Sequence, residues 1–215
     1  MVHAEQIVSE LLEAVTRNAS FPLTIQKLEG DAAFMTAEVA GVTADAVNDV
    51  ARQAVAFMAA FRDKQKELFD KSVGGCICTA CQTIENLRLK TVMHAGTVLE
   101  KEVSGLTELA GEPVIVAHRL LKNSVEGDTH IAATEAVSSL LDFEPYAKSR
   151  NYREEIEDIG TVDLTAYFPP EAELDRRGVR PLTRPAGNVE AIRLFAARMI
   201  SRVRSGRRQF RNLPA

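Results

Sequence analysis

Residues 43–70 limit what this chain can become more than any other segment. They contain no glycine or proline, and Val47, Val50, Ala51, Ala54, Phe57, Met58 and Phe61 recur at intervals of three and four. That period belongs to a helix with one apolar stripe. At 1.5 Å per residue such a helix is roughly 40 Å long, and its stripe needs an equally long apolar surface to cover it. Thr43 and Asp45 are both placed to cap its start. The chain has 215 residues, 46% of them hydrophobic, which is enough for one domain with a sheet against that helix.

The remaining segments supply the sheet. Ile7, Leu11, Leu12 and Val15 predict a helix over 4–17, broken by Phe21-Pro22. Leu23, Ile25 and Leu28 alternate with polar residues as in a half-buried strand. Glu29-Gly30-Asp31 then turns the chain into a second strand over 32–38. Gly74-Gly75 ends the long helix. Strands are expected over 87–94 and 97–103, with a turn at Gly96. A helix over 111–123 follows, with Val114, Ala117 and Leu121 on one face and Ile115 and Arg119 on another. A strand at 130–132, a helix over 134–141 and a strand over 159–167 complete the series, and Pro169-Pro170 closes the unit. The order predicts an α+β sandwich, mostly antiparallel, with helices packed on the sheet. The expected layout is a domain over 1–170, a Pro/Gly/Arg-rich linker over 171–188, and a C-terminal helix with an arginine-rich tail over 189–215.

Several function classes drop out. No apolar run approaches the ~20 residues of a membrane span, and the acidic, amphipathic N-terminus is no signal peptide. Net charge is −4, but residues 151–215 carry 12 arginines and no lysine against 9 acidic residues. Arg202, Arg204, Arg207, Arg208 and Arg211 gather in the tail with Phe210 as its one aromatic. A solvated helix end accounts for that pattern better than a nucleic-acid surface does.

The cysteines make a second constellation. Cys76, Cys78 and Cys81 are the only three in the chain. An odd, clustered set without a secretion signal predicts a reducing cytoplasm and no disulfide framework. Three thiolates in one loop can converge on Zn2+, which wants a fourth ligand. His94, His118 or a partner subunit are the candidates for it; a Cys78/Cys81 redox pair and inert thiols are the alternatives.

Residues 87–137 (LRLKTVMHAGTVLEKEVSGLTELAGEPVIVAHRLLKNSVEGDTHIAATEAV) and Gln26–Phe34 (QKLEGDAAF) resemble the class III adenylate/guanylate cyclase catalytic domains. The shared features are a "GIHxG" strand, a glycine-led "GxxVNxAxR" helix, an "I-x-x-S/T" strand and a "KxxGDA" hairpin in that order. The chain is similar to an uncharacterised bacterial branch of that superfamily with a cysteine cluster and an AHRLLKN helix. The resemblance runs over about residues 4–141 and implies a ferredoxin-like, nucleotide-cyclase-like sandwich.

It also implies roles. Lys27 matches the lysine that recognises the purine together with an acidic partner, for which Glu108 is positioned. Asp31 matches the second of two aspartates that hold catalytic Mg2+ or Mn2+. Arg119 matches the arginine that stabilises triphosphate charge in the transition state. Each has a plainer reading: Lys27 as a solvated strand residue, Glu29 and Asp31 as turn residues, Arg119 as the surface partner of Glu112. Two departures bear on chemistry. Ile115 stands where the family has a ribose-orienting asparagine, and it can neither donate nor accept a hydrogen bond. The strand carrying the first metal aspartate would precede residue 4. Phosphoryl transfer rests on positioning and charge neutralisation, and one lost oriented donor costs ~10²–10³ in rate. The expectation is therefore a degenerate domain that binds ATP or GTP, or regulates, with weak or no cyclase activity. The alternatives are an active cyclase with its site at a homodimer interface, and a non-enzymatic metal or thiol sensor on the same scaffold. The resemblance implies a head-to-tail homodimer in either nucleotide case.

Overall fold

The computed structural model describes residues 2–39, 41–72, 76–126, 129–142 and 148–170. The Gly74-Gly75 turn, the linker, the C-terminal helix and the arginine-rich tail lie outside the described residues. What remains is a mixed α+β arrangement. Its helices are α1 (Val2–Thr16), α2 (Ala44–Ser72), α3 (Thr79–Gln82), α4 (Glu112–Arg119) and α5 (Glu135–Ser138). Its strands are β1 (Leu23–Glu29), β2 (Ala32–Ala37), β3 (Lys90–Met93), β4 (Leu99–Val103), β5 (Leu106–Ala110), β6 (His130–Thr134), β7 (Lys148–Ile156) and β8 (Gly160–Phe168).

Four strands form the main sheet in the order β3-β6-β8-β7, with β3 and β6 parallel and the other two pairings antiparallel. β1-β2 and β4-β5 are separate antiparallel hairpins. The inner strand β6 is buried at every position, which is why its middle, Ile131-Ala132-Ala133, reads as consecutive apolar residues rather than an alternation. Ile131 and Ala133 turn to one face, where Val47, Ala51, Ala54 and Met58 of α2 meet them together with Met93 and Tyr167. The long stripe thus finds its cover in the sheet. Thr43 provides the cap, its Oγ1 accepting from the Ala46 amide at 3.3 Å. On the opposite face, Val116 of α4 and Leu120 after it pack on Ile156 and Leu164. A third cluster joins Ile7 and Leu11 of α1 to Leu68 of α2 and to Cys81 and Ile84.

Three expectations change. The seated face of α4 is Val116 and Leu120, while Leu121 is 40% exposed, because the sheet meets the helix one residue round from the predicted stripe. β1 is exposed along almost its whole length rather than half-buried. Its hairpin stands apart from the main sheet, and a register shift between Ile25 and Lys27 breaks the alternation. β5 and β7 are strands where none was expected.

Candidate functional site

Two constellations stand out. The first lies between the β1-β2 hairpin and α4. Gly30, at φ +61°, takes the left-handed conformation that reverses the chain, and the strand before it carries Lys27 and Glu29 to the hairpin's end. On α4, Ile115, His118 and Arg119 are spaced at three and four residues, and Lys122 falls one turn further on in the turn Leu120–Lys122. They share one face, the reverse of the one that Val116 and Leu120 bury. These side chains and Val114 line an open cleft of about 570 Å³ together with Lys27 and Glu29.

Its interior is linked by charge and ring contacts. Lys27 Nζ lies 2.6 Å from Glu29 Oε1, and His118 Nδ1 lies 3.3 Å from Glu29 Oε2. Glu29 therefore bridges the hairpin to α4. The hydrogen bond from Lys27 holds the Glu29 carboxyl below its ordinary value. Phe34 stacks on the His118 ring at 5.0 Å, and Lys27 Nζ sits 5.7 Å from the Phe34 ring centre. Arg119 reaches Glu157, not Glu112, at 3.9 Å with both side chains exposed, a pairing worth little.

The structure thus brings Lys27 and Arg119 to one cleft, with Ile115 on its wall. Glu108 is exposed on β5 opposite Lys101 and does not line it. Asp31 sits at the hairpin turn, outside the lining. Glu29, a turn residue by its sequence context, and Lys122 join Lys27 and Arg119 in the lining. The sequence signal for Lys122 is its spacing of three and seven residues from Arg119 and Ile115.

The second constellation is the cysteine loop, where the expected fourth donor is corrected. His3, on the first turn of α1, places Nδ1 3.3 Å from Cys76 Sγ, 3.4 Å from Cys78 Sγ and 3.6 Å from Cys81 Sγ. All four donor atoms lie within 4.8 Å of one another, so the cluster can hold a metal ion. His94 is engaged elsewhere, with Nδ1 2.8 Å from Thr134 Oγ1, and His118 belongs to the cleft. The thiols are differentiated. The Cys81 backbone amide draws the Cys78 thiol down to about 6, whereas burial pushes Cys81 up to about 12. Among the described residues no other group of three or more His, Cys, Asp or Glu donors converges. Asp31 therefore has no assembled set of carboxylates around it for Mg2+ or Mn2+.

Residues 8–130 match the profile of a family described as protein of unknown function (DUF2652). The chain belongs to that family. This DUF2652 chain is 34% identical over 169 residues to "Uncharacterized protein Rv2561/Rv2562" of Mycobacterium tuberculosis, the match spanning 76% of each chain. Among solved structures it overlaps the catalytic core of a rhodopsin-guanylyl cyclase with converted specificity in complex with ATPalphaS. That overlap has a TM-score of 0.44 and 13% identity, over 76% of this chain and 79% of the other. No helix among the described residues of the DUF2652 chain is long and apolar enough to cross a membrane.

Proposed function

We propose that this protein is a nucleotide-cyclase-like domain that binds a purine nucleotide, ATP or GTP, without efficient turnover. One observation carries the reading: Lys27, from the hairpin, and Arg119, from a helix distant in sequence, meet in one cleft. The cleft's volume falls within the roughly 300–1,000 Å³ of ordinary small-molecule sites. Its charged lining is three cations, Lys27, Arg119 and Lys122, against one carboxylate, Glu29. That balance favours an anion, and a guanidinium is suited to bidentate phosphate contacts.

In this reading Arg119 and Lys122 take the phosphates, and Val114 and Ile115 give the base an apolar wall. Lys27 donates to the purine edge and Glu29 accepts from it, taking the acidic role first expected of Glu108. Poor turnover follows from two absences. Ile115 has no hydrogen bond to offer a ribose, and Asp31 lacks companion carboxylates among the described residues. The homodimer that the resemblance implies is part of this reading.

Thermal unfolding with ATP or GTP, with and without Mn2+, tests this. Ligand at 100 times its Kd adds about 2.7 kcal/mol, or roughly 5–10 °C for a domain of this size. The shift is expected for the wild type and lost in Lys27→Ala and Arg119→Ala. No shift at millimolar nucleotide overturns the reading. A cyclic product that disappears in Asp31→Ala would replace it with the active-cyclase reading.

A further inference from the structure

We propose that His3, Cys76, Cys78 and Cys81 form a closed Zn2+ site that pins the first turn of α1 to the loop entering α3. The inference is independent of the nucleotide reading. Zinc binds thiolate sulfur at about 2.3 Å and imidazole nitrogen at about 2.0–2.1 Å in tetrahedral sites. Those bond lengths set nitrogen–sulfur edges of about 3.6 Å and sulfur–sulfur edges of about 3.8 Å. The separations from His3 Nδ1, 3.3, 3.4 and 3.6 Å, already match the first of these. The whole donor set fits inside 4.8 Å. Side chains brought together only by apolar packing have no reason to aim four donor atoms at one point.

The donors also come from segments far apart in sequence. His3 is 73 residues from Cys76 in sequence. Cys78 is the N-cap residue of α3, and its Sγ faces His3 Nδ1. Cys81 lies one turn on, buried at 4% exposure. Beneath the cluster, Cys81 joins Ile7, Leu11, Leu68 and Ile84 in one apolar core. Gln65 of α2 steadies the far end of the segment, donating to the Ile84 and Leu87 carbonyls at 2.7 and 2.8 Å. The metal therefore caps a small core shared by three helices.

Donor chemistry selects the ion. Three thiolates and one imidazole favour a soft or borderline cation over Mg2+ or Ca2+. Four-cysteine iron–sulfur ligation is out of reach for three cysteines. With four protein donors no coordination position stays open for water or substrate, so the site holds structure and performs no hydrolysis.

The test uses the full-length chain without a histidine tag, purified under reducing conditions without chelator. Elemental analysis is expected to find one zinc per chain, and zinc-edge X-ray absorption to find three sulfurs and one nitrogen. Cobalt(II) in place of zinc should give the intense visible bands of a tetrahedral thiolate site. Even an outer-shell partner of a ligand is worth ~10–100-fold in metal affinity. His3→Ala should accordingly lose zinc to a chelator more than tenfold faster than wild type, while His3→Cys and His94→Ala retain it. Should His3→Ala not fold, the absorption spectrum of the wild type decides alone. Zinc well below one per chain, a shell without nitrogen, an octahedral cobalt spectrum, iron in the site, or faster zinc loss from His94→Ala would each overturn the proposal.

Discussion

Replacing Gly96 by alanine is expected to destabilise the protein where that residue meets the start of α4. A Cβ at position 96 would lie 2.5 Å from Cγ and 2.9 Å from Cβ of Pro113. Carbon atoms rest at about 3.5–4.0 Å, so the shortfall is about 1 Å. Proline cannot yield by changing rotamer, and Pro113 sits in the first turn of α4. Either the segment around Gly96 or the start of α4 must therefore move, and the second strains the seating of Val116 and Leu120 on Ile156 and Leu164. Overpacking of this kind costs about 1–3 kcal/mol, or roughly 2–12 °C in Tm at this chain length. Gly96 does not occupy the positive-φ region, so alanine suits its backbone. Without the clash the substitution would stabilise by about 0.4–1 kcal/mol through the unfolded chain. The two effects have opposite signs, which makes the outcome decisive. Urea unfolding of wild type, Gly96→Ala, Pro113→Gly and the double variant should show most of the Gly96→Ala cost removed in the Pro113→Gly background, where both clashing carbons are gone. A Gly96→Ala protein as stable as wild type, or a cost that persists without Pro113, would refute the reasoning.

Asn48 ties α2 to the segment just after α5, donating to the Leu140 carbonyl at 3.0 Å and accepting from the Asp142 amide at 2.9 Å. Asn48→Ala should cost about 1–3 kcal/mol in urea unfolding, and a loss below 0.3 kcal/mol would count against that tie. Burial lowers the His94 pKa from its ordinary 6.5, so the unfolded chain takes up a proton at a higher pH than the native one. Its contribution is complete above about 6.5 and fades as pH falls toward the native value. The stability difference between wild type and His94→Gln should therefore be flat above that point and shrink below it. A difference independent of pH would show that His94 stays solvated.

The parts of the fold legible in the sequence are those whose pattern one element sets alone. α2 declared itself because its stripe has helical period over its full length, and the β1-β2 hairpin because Gly30 stands between two runs of strand formers. β7 was not legible. It is an edge strand reading KSRNYREEI, exposed at most positions, and its charges discourage further pairing while erasing the apolar signal. The parallel pairing of β3 with β6 depends on the crossover through α4 and leaves no local mark. The cleft was half legible. Lys27 and Arg119 stand in motifs, whereas Glu29 takes part only because α4 brings His118 beside it. The metal cluster divides the same way: Cys76, Cys78 and Cys81 advertise themselves by spacing, but only the packing of Ile7 and Leu11 on Leu68 and Ile84 delivers His3. In α1 that histidine looks like any polar residue of a helix start.

Everything proposed for the first constellation depends on an anionic ligand lodging between the hairpin and α4. Backbone amide NMR of the isotopically labelled protein, titrated with ATP, maps that contact residue by residue. Saturable shifts are predicted at Lys27, Leu28 and Glu29 and along Val114 to Lys122, and should vanish in Arg119→Ala while the rest of the spectrum is unchanged. A spectrum indifferent to millimolar ATP, or one perturbed only away from these two segments, would contradict it.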